Sequence, residues 1–224
     1  MVKLKKVCVA LVCAAMASGA GALSFDPGHV PDPAPVALFA DGLDGFELVT
    51  TPAAAIGQVA TVGADGVIAL AGTPSGYLAT RAAYTNYRLH AEWRWPGKPG
   101  NGGALLHIQG GPKDRVWPLS QQVQTKRGSA GDLLPMAGAA FAEPLSSAPG
   151  AATPVKARAG ADSERPAGEW NSMDVVCRDG TIEVAINGVA QNRVSGASPA
   201  SGRIGFQLEG APYELRNVTI VPLR

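Results

Sequence analysis

The sequence predicts an all-β fold, an antiparallel β-sandwich of jelly-roll type built as a single domain. Three observations carry that expectation. Glycine (28) and proline (18) are abundant among the 224 residues, which argues against a helical bundle. About a dozen short β-prone runs, separated by turn residues, succeed one another along most of the chain. And Tyr87, Leu89, Ala91, Trp93 and Trp95 alternate with Arg88, His90, Glu92 and Arg94, a period of two that describes a strand with one dry face and one charged face. No helix longer than two turns is convincing anywhere.

The elements follow in chain order. Lys3, Lys5 and Lys6 precede an apolar run from Val7 to Ala17, and Ala20-Gly21-Ala22 offers small residues for cleavage. Residues 1–22 therefore read as a secretory signal peptide whose apolar part is too short to span a bilayer. The protein is expected to be exported, periplasmic or secreted, with no membrane span. Cleavage leaves 202 residues with sixteen basic and eighteen acidic side chains, net −2, and Cys177 as the remaining cysteine. No intrachain disulfide is then expected, and the near-neutral balance carries no electrostatic footprint for nucleic acid. Residues 23–35 hold four prolines and read as an extended leader, so the folded domain is expected to span 36–224.

Within that domain Glu47–Thr50, Gly57–Val62, Val67–Ala71 and Gly76–Thr80 are β-prone, with Ala64-Asp65-Gly66 a hairpin signal between two of them. After the alternating strand come Ala104–Gln109, Gln121–Lys126, Met173–Cys177, Ile182–Asn187, Ile204–Leu208 and Tyr213–Val221. Arg178-Asp179-Gly180 and Ile186-Asn187-Gly188 signal turns of a meander of at least three strands. Residues 142–168 are rich in Ala, Pro, Gly and Ser without apolar period. They read as a long surface loop, of a length that allows a lid.

Common catalytic signatures are absent: no nucleophile elbow, no phosphate loop, no dinucleotide fingerprint, no Cys or His pair at zinc spacing. No nucleotide or organic cofactor is therefore expected. Cys177 lies in an apolar run and reads as a buried, inert thiol. What remains is polar residues on alternating strand positions. His90 and Glu92 share one face, as do Leu105, His107 and Gln109. Gln122, Gln124 and Lys126 share a third, close to Asp132 across a short turn. Planar amides meet sugar hydroxyls two at a time, and the rings of Trp93, Trp95, Trp117 or Trp170 suit a sugar face, so a carbohydrate groove is one reading. The other is the solvated outer face that antiparallel sheets commonly carry. Gln122 and Gln124 favour the groove, because adjacent inward amides are costly when unsatisfied.

Longer segments carry a resemblance. Asn101-Gly102-Gly103-Ala104-Leu105-Leu106-His107, the run Val116 to Gln124, the turn Lys126 to Asp132, Glu169-Trp170-Asn171, Gly202 to Gly210 and Glu214 to Val218 resemble, in that order, motifs of the 3-keto-disaccharide hydrolase family. The likeness runs from about residue 37 to the end of the chain. It implies a concanavalin A-like jelly roll that acts on glycosides whose C3 hydroxyl has been oxidised to a ketone. Loss of the C2 proton, elimination of the C1 aglycone and hydration would give net hydrolysis of a carbohydrate substrate. It also implies one divalent metal ion, with His107 and Asp132 as catalytic residues or metal ligands. Asn101, Gln122, Gln124, Lys126, Glu92 and Trp117 are the expected substrate contacts. The family's strand motif carries Glu where this chain has Gln122, and an amide is neither a base at neutral pH nor a good cation ligand. A non-catalytic carbohydrate-binding module on the same fold is therefore an alternative, and a structural envelope domain without a sugar site is a third.

Overall fold

A computed structural model describes residues 33–224. The expected signal peptide and the part of the expected leader before Pro33 lie outside the described residues. β1 (Val36–Ala37) and β2 (Phe46–Thr51) precede a single helical turn, α1 (Ile56–Val59), then β3 (Ala60–Val62) and β4 (Ile68–Leu70). Next come β5 (Ser75–Tyr84), β6 (Tyr87–Arg94), β7 (Gly103–Asp114), β8 (Trp117–Gln124) and β9 (Leu133–Met136). The chain closes with β10 (Asn171–Arg178), β11 (Thr181–Ile186), β12 (Val189–Val194), β13 (Gly202–Leu208) and β14 (Tyr213–Pro222).

The strands form two antiparallel sheets. One runs β12-β11-β10-β6-β14-β4-β3, with β1 pairing a later stretch of β14 than β4 does. The other runs β2-β5-β13-β7-β8-β9. Distant partners such as β6 with β14 and β5 with β13 need long crossing connections, which make a jelly-roll sandwich rather than a simple meander. Apolar side chains from both sheets meet between them: Tyr87, Leu89 and Trp93 of β6, Val175 of β10, Leu106 of β7, Val123 of β8 and Phe206 of β13.

The alternation of β6 settles its orientation. Tyr87, Leu89, Ala91 and Trp93 are buried, while Arg88, His90, Glu92 and Arg94 point the other way. On that outer face His90 Nδ1 lies 2.7 Å from Asp174 Oδ1, Arg216 Nε donates to Glu92 at 2.7 Å, and Arg94 pairs with Glu214. The guanidinium carbons of Arg94 and Arg216 stand 4.6 and 4.2 Å from the Trp170 ring centre. Cys177 is free and buried, and burial pushes its thiol up to about 12.

Three elements differ from the sequence expectation. Residues 56–59 form a helical turn where a strand was expected from residue 57, and Gln58 Oε1 accepts the Ala55 N–H at 3.0 Å at its start. β9 escapes a propensity reading because of Pro135, which an edge strand tolerates. β1 escapes it because two residues are too few to show an alternating pattern.

Candidate functional site

The six-stranded sheet is dry on both faces near its middle. Val123, Leu133 and Phe206 face the inter-sheet core, so Gln122, Gln124, Leu134 and Gln207 face outward. There Tyr77, Ala79, Leu105, Ile108, Val116 and Trp117 form a second apolar cluster. Beside it opens a cavity of about 510 Å³, floored by Gln122, Gln124, Leu134 and Gln207.

The floor is a row of amides crossing three strands. Gln207 Nε2 donates to Gln122 Oε1 at 3.2 Å, and Gln122 Nε2 donates to Gln124 Oε1 at 2.6 Å. β7 lies between β13 and β8, and a glycine makes the crossing possible. A Cβ on Gly103 would stand 2.9 Å from Gln122 Nε2 and 3.0 Å from Gln207 Oε1. Gln207 Oε1 is buried with no partner among the described residues. Unmet acceptors of this kind cost stability unless a ligand or water answers them.

Charged groups ring the floor. Asp132 follows the turn after β8, and its Oδ1 accepts the Arg158 backbone N–H at 2.8 Å. Glu209 lies just beyond β13, bridged to Asn101. Burial raises the Glu209 carboxyl above the ordinary carboxylate range, while the Asn101 amide and the charges of Lys126 and Arg115 hold it back. Asn101, Trp117, Lys126 and Arg115 also line the cavity.

One wall is the long segment between β9 and β10, which contributes Ala152, Thr153, Pro154 and Val155. Its backbone pairs with Leu133 through Lys156, at 2.8 and 3.0 Å, and with Ser198 through Ala140. Asn192 Nδ2 donates to Lys156 O at 3.1 Å, and Gln191 Nε2 to Ala161 O at 2.9 Å. The two buried amides of β12 thus moor the strap that walls the cavity.

Of the residues singled out in the sequence, Asn101, Trp117, Gln122, Gln124, Lys126 and Asp132 come together here. His107 and Glu92 do not. Parity placed His107 beside Leu105, but β7 is irregular from Leu106 to Gln109 and His107 has a φ of 58°. The extra residue of such a bulge reverses the alternation. Leu106 therefore packs in the inter-sheet core while Ile108 joins the outer cluster. The His107 ring turns inward onto Tyr87, centroids 5.7 Å apart, with Nδ1 donating to Pro199 O at 3.1 Å. Burial lowers its pKa to about 4, and Nε2 has no partner among the described residues. Glu92 belongs to the outer face of the other sheet, held by Arg216 and Asn217. Trp93 and Trp95 are core residues and Trp170 sits between arginines, so Trp117 is the one tryptophan in the cavity lining.

Residues 35–221 match the model of the 3-keto-alpha-glucoside-1,2-lyase-like domain. The chain belongs to that family. No curated protein matches it. Two proteins from Parabacteroides distasonis assigned as glycosyl hydrolases share its fold. One is 24% identical with a TM-score of 0.58, covering 80% of this chain and 89% of its own. The other is 18% identical with a TM-score of 0.61, covering 85% and 100%. The carbohydrate-binding module CBM66 from Bacillus subtilis shares the fold too, at 9% identity and a TM-score of 0.54, covering 79% and 95%.

Membership in this lyase-like family makes the domain a carbohydrate-related one. The divalent ion that the resemblance implies is not matched by the donors present. Among the described residues no three His, Cys, Asp or Glu side chains converge to hold a metal. The cavity's carboxylates share it with Lys126 and Arg115, and its floor is made of amides. Those cations oppose a bound cation. Gln207, Glu209, Asp114 and Arg115 are among the lining residues that the sequence did not single out. Gln207 and Glu209 both lie in the family-like segment Gly202 to Gly210 and repeat the two-residue spacing of Gln122 and Gln124, so two signals pointed to them.

Proposed function

We propose that the cavity binds 3-keto-glycosides and cleaves them by elimination followed by hydration. The observation that carries this reading is the outward amide row, Gln207 to Gln122 to Gln124, in a cavity that the carboxylates Asp132 and Glu209 also line. Amides suit sugar hydroxyls and the ketone oxygen; carboxylates suit proton transfer. A C3 ketone acidifies the C2 proton, so one ordinary carboxylate suffices to remove it, without the tuned pair of a conventional glycosidase. Asp132 is that base in this proposal, oriented through its Oδ1 by the Arg158 N–H. His107 is not placed to act, because its ring lies between the sheets. Water then adds to C1 of the unsaturated ketone. The N-terminal sequence supports export before the domain meets its substrate.

The test is release of p-nitrophenol from a p-nitrophenyl 3-keto-glucoside by the purified domain. Turnover is expected, and Asp132→Asn is expected to lower kcat by about 100-fold or more with KM little changed. No release, with or without added divalent metals, ends the proposal. A second reading, a non-catalytic binding module, is favoured by the neutral Gln122 at the centre of the row. It requires saturable binding of the same 3-keto-glucoside without turnover.

A further inference from the structure

A second cavity, of about 470 Å³, is lined by Thr51, Ser75, Arg115, Val116, Trp117 and Glu209. Arg115, Trp117 and Glu209 also line the first. These three residues form a partition with a ligand-sized space on each side, since small-molecule clefts occupy roughly 300–1,000 Å³. We propose that the two cavities form one bipartite site, with the oxidised sugar in the amide-floored half and the departing group beyond Trp117. Glu209, which faces both halves, gives a proton to the departing oxygen. This rests on the reading above and adds where the substrate's second unit lies and what helps it leave.

The composition of the second half fits a polar leaving group such as another sugar. Thr51 and Ser75 sit directly opposite each other on β2 and β5, so two hydroxyls stand side by side. Trp117, held in the outer apolar cluster, makes the apolar part of the partition. The chemistry calls for an acid at that boundary, because a sugar alkoxide leaves far less readily than a nitrophenolate. In the step, Asp132 takes the C2 proton and the C–H electrons become the C1–C2 double bond. The C1–O bond breaks with its pair on oxygen, and that oxygen takes the Glu209 carboxyl proton. The products are a free alcohol and a 1,2-unsaturated 3-keto sugar. In the return step Glu209 takes a proton from water, the hydroxide adds at C1, and Asp132 returns its proton to C2. Both carboxyls end as they began, and no oxidant or reductant is needed. Partial burial of Glu209 favours its protonated form, as a general acid requires.

Two comparisons test the proposal. With Glu209→Gln, kcat on a 3-keto-disaccharide is expected to fall about 100-fold or more, while p-nitrophenyl 3-keto-glucoside loses only a few-fold. With Ser75→Trp, or Thr51→Trp should the first not fold, the second half is filled. KM for the disaccharide is then expected to rise about tenfold, and KM for methyl 3-keto-glucoside to stay within twofold. Equal losses on both leaving groups, or equal changes in both KM values, overturn the bipartite site while leaving the proposed activity standing. Wild-type protein that turns over none of the three substrates overturns the proposed activity and the bipartite site together.

Discussion

His107 and His90 are pulled in opposite directions by their surroundings. Burial holds the His107 ring neutral down to about pH 4, whereas in the unfolded chain it takes up a proton near 6.5. Between those values the unfolded state binds more protons, so the contribution of His107 is fully present above pH 6.5. It is lost as pH falls through 4. The gap corresponds to about 3 kcal/mol. His90 is raised, first by its hydrogen bond with Asp174 and then by the charges of Asp174 and Glu92. Its contribution is present below the unfolded pKa and fades as pH rises through the folded one. Urea midpoints measured from pH 4 to 8 should therefore show a steeper acid-side loss in wild type than in His107→Asn, a residue that accepts the positive φ. Parallel curves for the two proteins would refute the assignment. Gly103 makes a second prediction at this scale. A methyl group there would stand 2.7 Å from Val123 O, a backbone atom, as well as against both glutamines. Gly103→Ala is expected to cost about 1–3 kcal/mol and to weaken glycoside binding, measured by urea unfolding and calorimetry.

At the scale of elements, β7 and the strap decide what reaches the cavity. β7 loses its alternation at His107, and β13 comes close to the bulge because Gly202 has no side chain: a Cβ there would lie 2.5 Å from the His107 carbonyl carbon. The bulge sends a histidine inward and Ile108 outward, which builds the second apolar cluster beside the amide floor. The strap is closed at its base, where Ser146 and Ser147 N–H both donate to Val155 O, at 2.8 and 3.1 Å. It is moored by Gln191 and Asn192. Asn192→Ala removes side-chain bonds to Gly131, Lys156 and Ala157. Limited proteolysis should then cut within residues 142–158 several times faster than in wild type, with a smaller change in global unfolding. Unchanged cleavage would show that the backbone pairing with Leu133 suffices.

The described domain is a sandwich with two unlike outer faces, one laced with ion pairs around Trp170 and one hollowed into cavities. The all-β class was legible because β6 alternates cleanly, and because the turns Asp179-Gly180 and Asn187-Gly188 punctuate the meander of β10 to β12. The gathering of Gln122, Gln124, Lys126 and Asp132 was legible for the same reason, since β8 keeps its period to the turn. The position of His107 was not, because a bulge leaves no mark on the hydrophobic pattern. Nor was the strap's anchorage, which depends on polar residues buried by distant backbone. Export makes a prediction at this scale. Protein produced with its full N-terminal sequence in a bacterial host should be recovered outside the cytoplasm beginning at Leu23, as read by N-terminal sequencing and intact mass. Cytoplasmic protein that retains residues 1–22 would count against it.

The amide row has one more property. Each glutamine donates in the same sense, from Gln207 through Gln122 to Gln124, and the chain leaves Gln124 Nε2 as the donor at its free end. Turning one amide over sets donor against donor, so all three must turn together, as in a one-dimensional thread of ice. The reversed thread would show an acceptor at that end and would bring the orphaned Gln207 Oε1 to the Gln122 amide. The floor can therefore greet either a hydroxyl hydrogen or a ketone oxygen by one concerted flip, with the backbone left where it is.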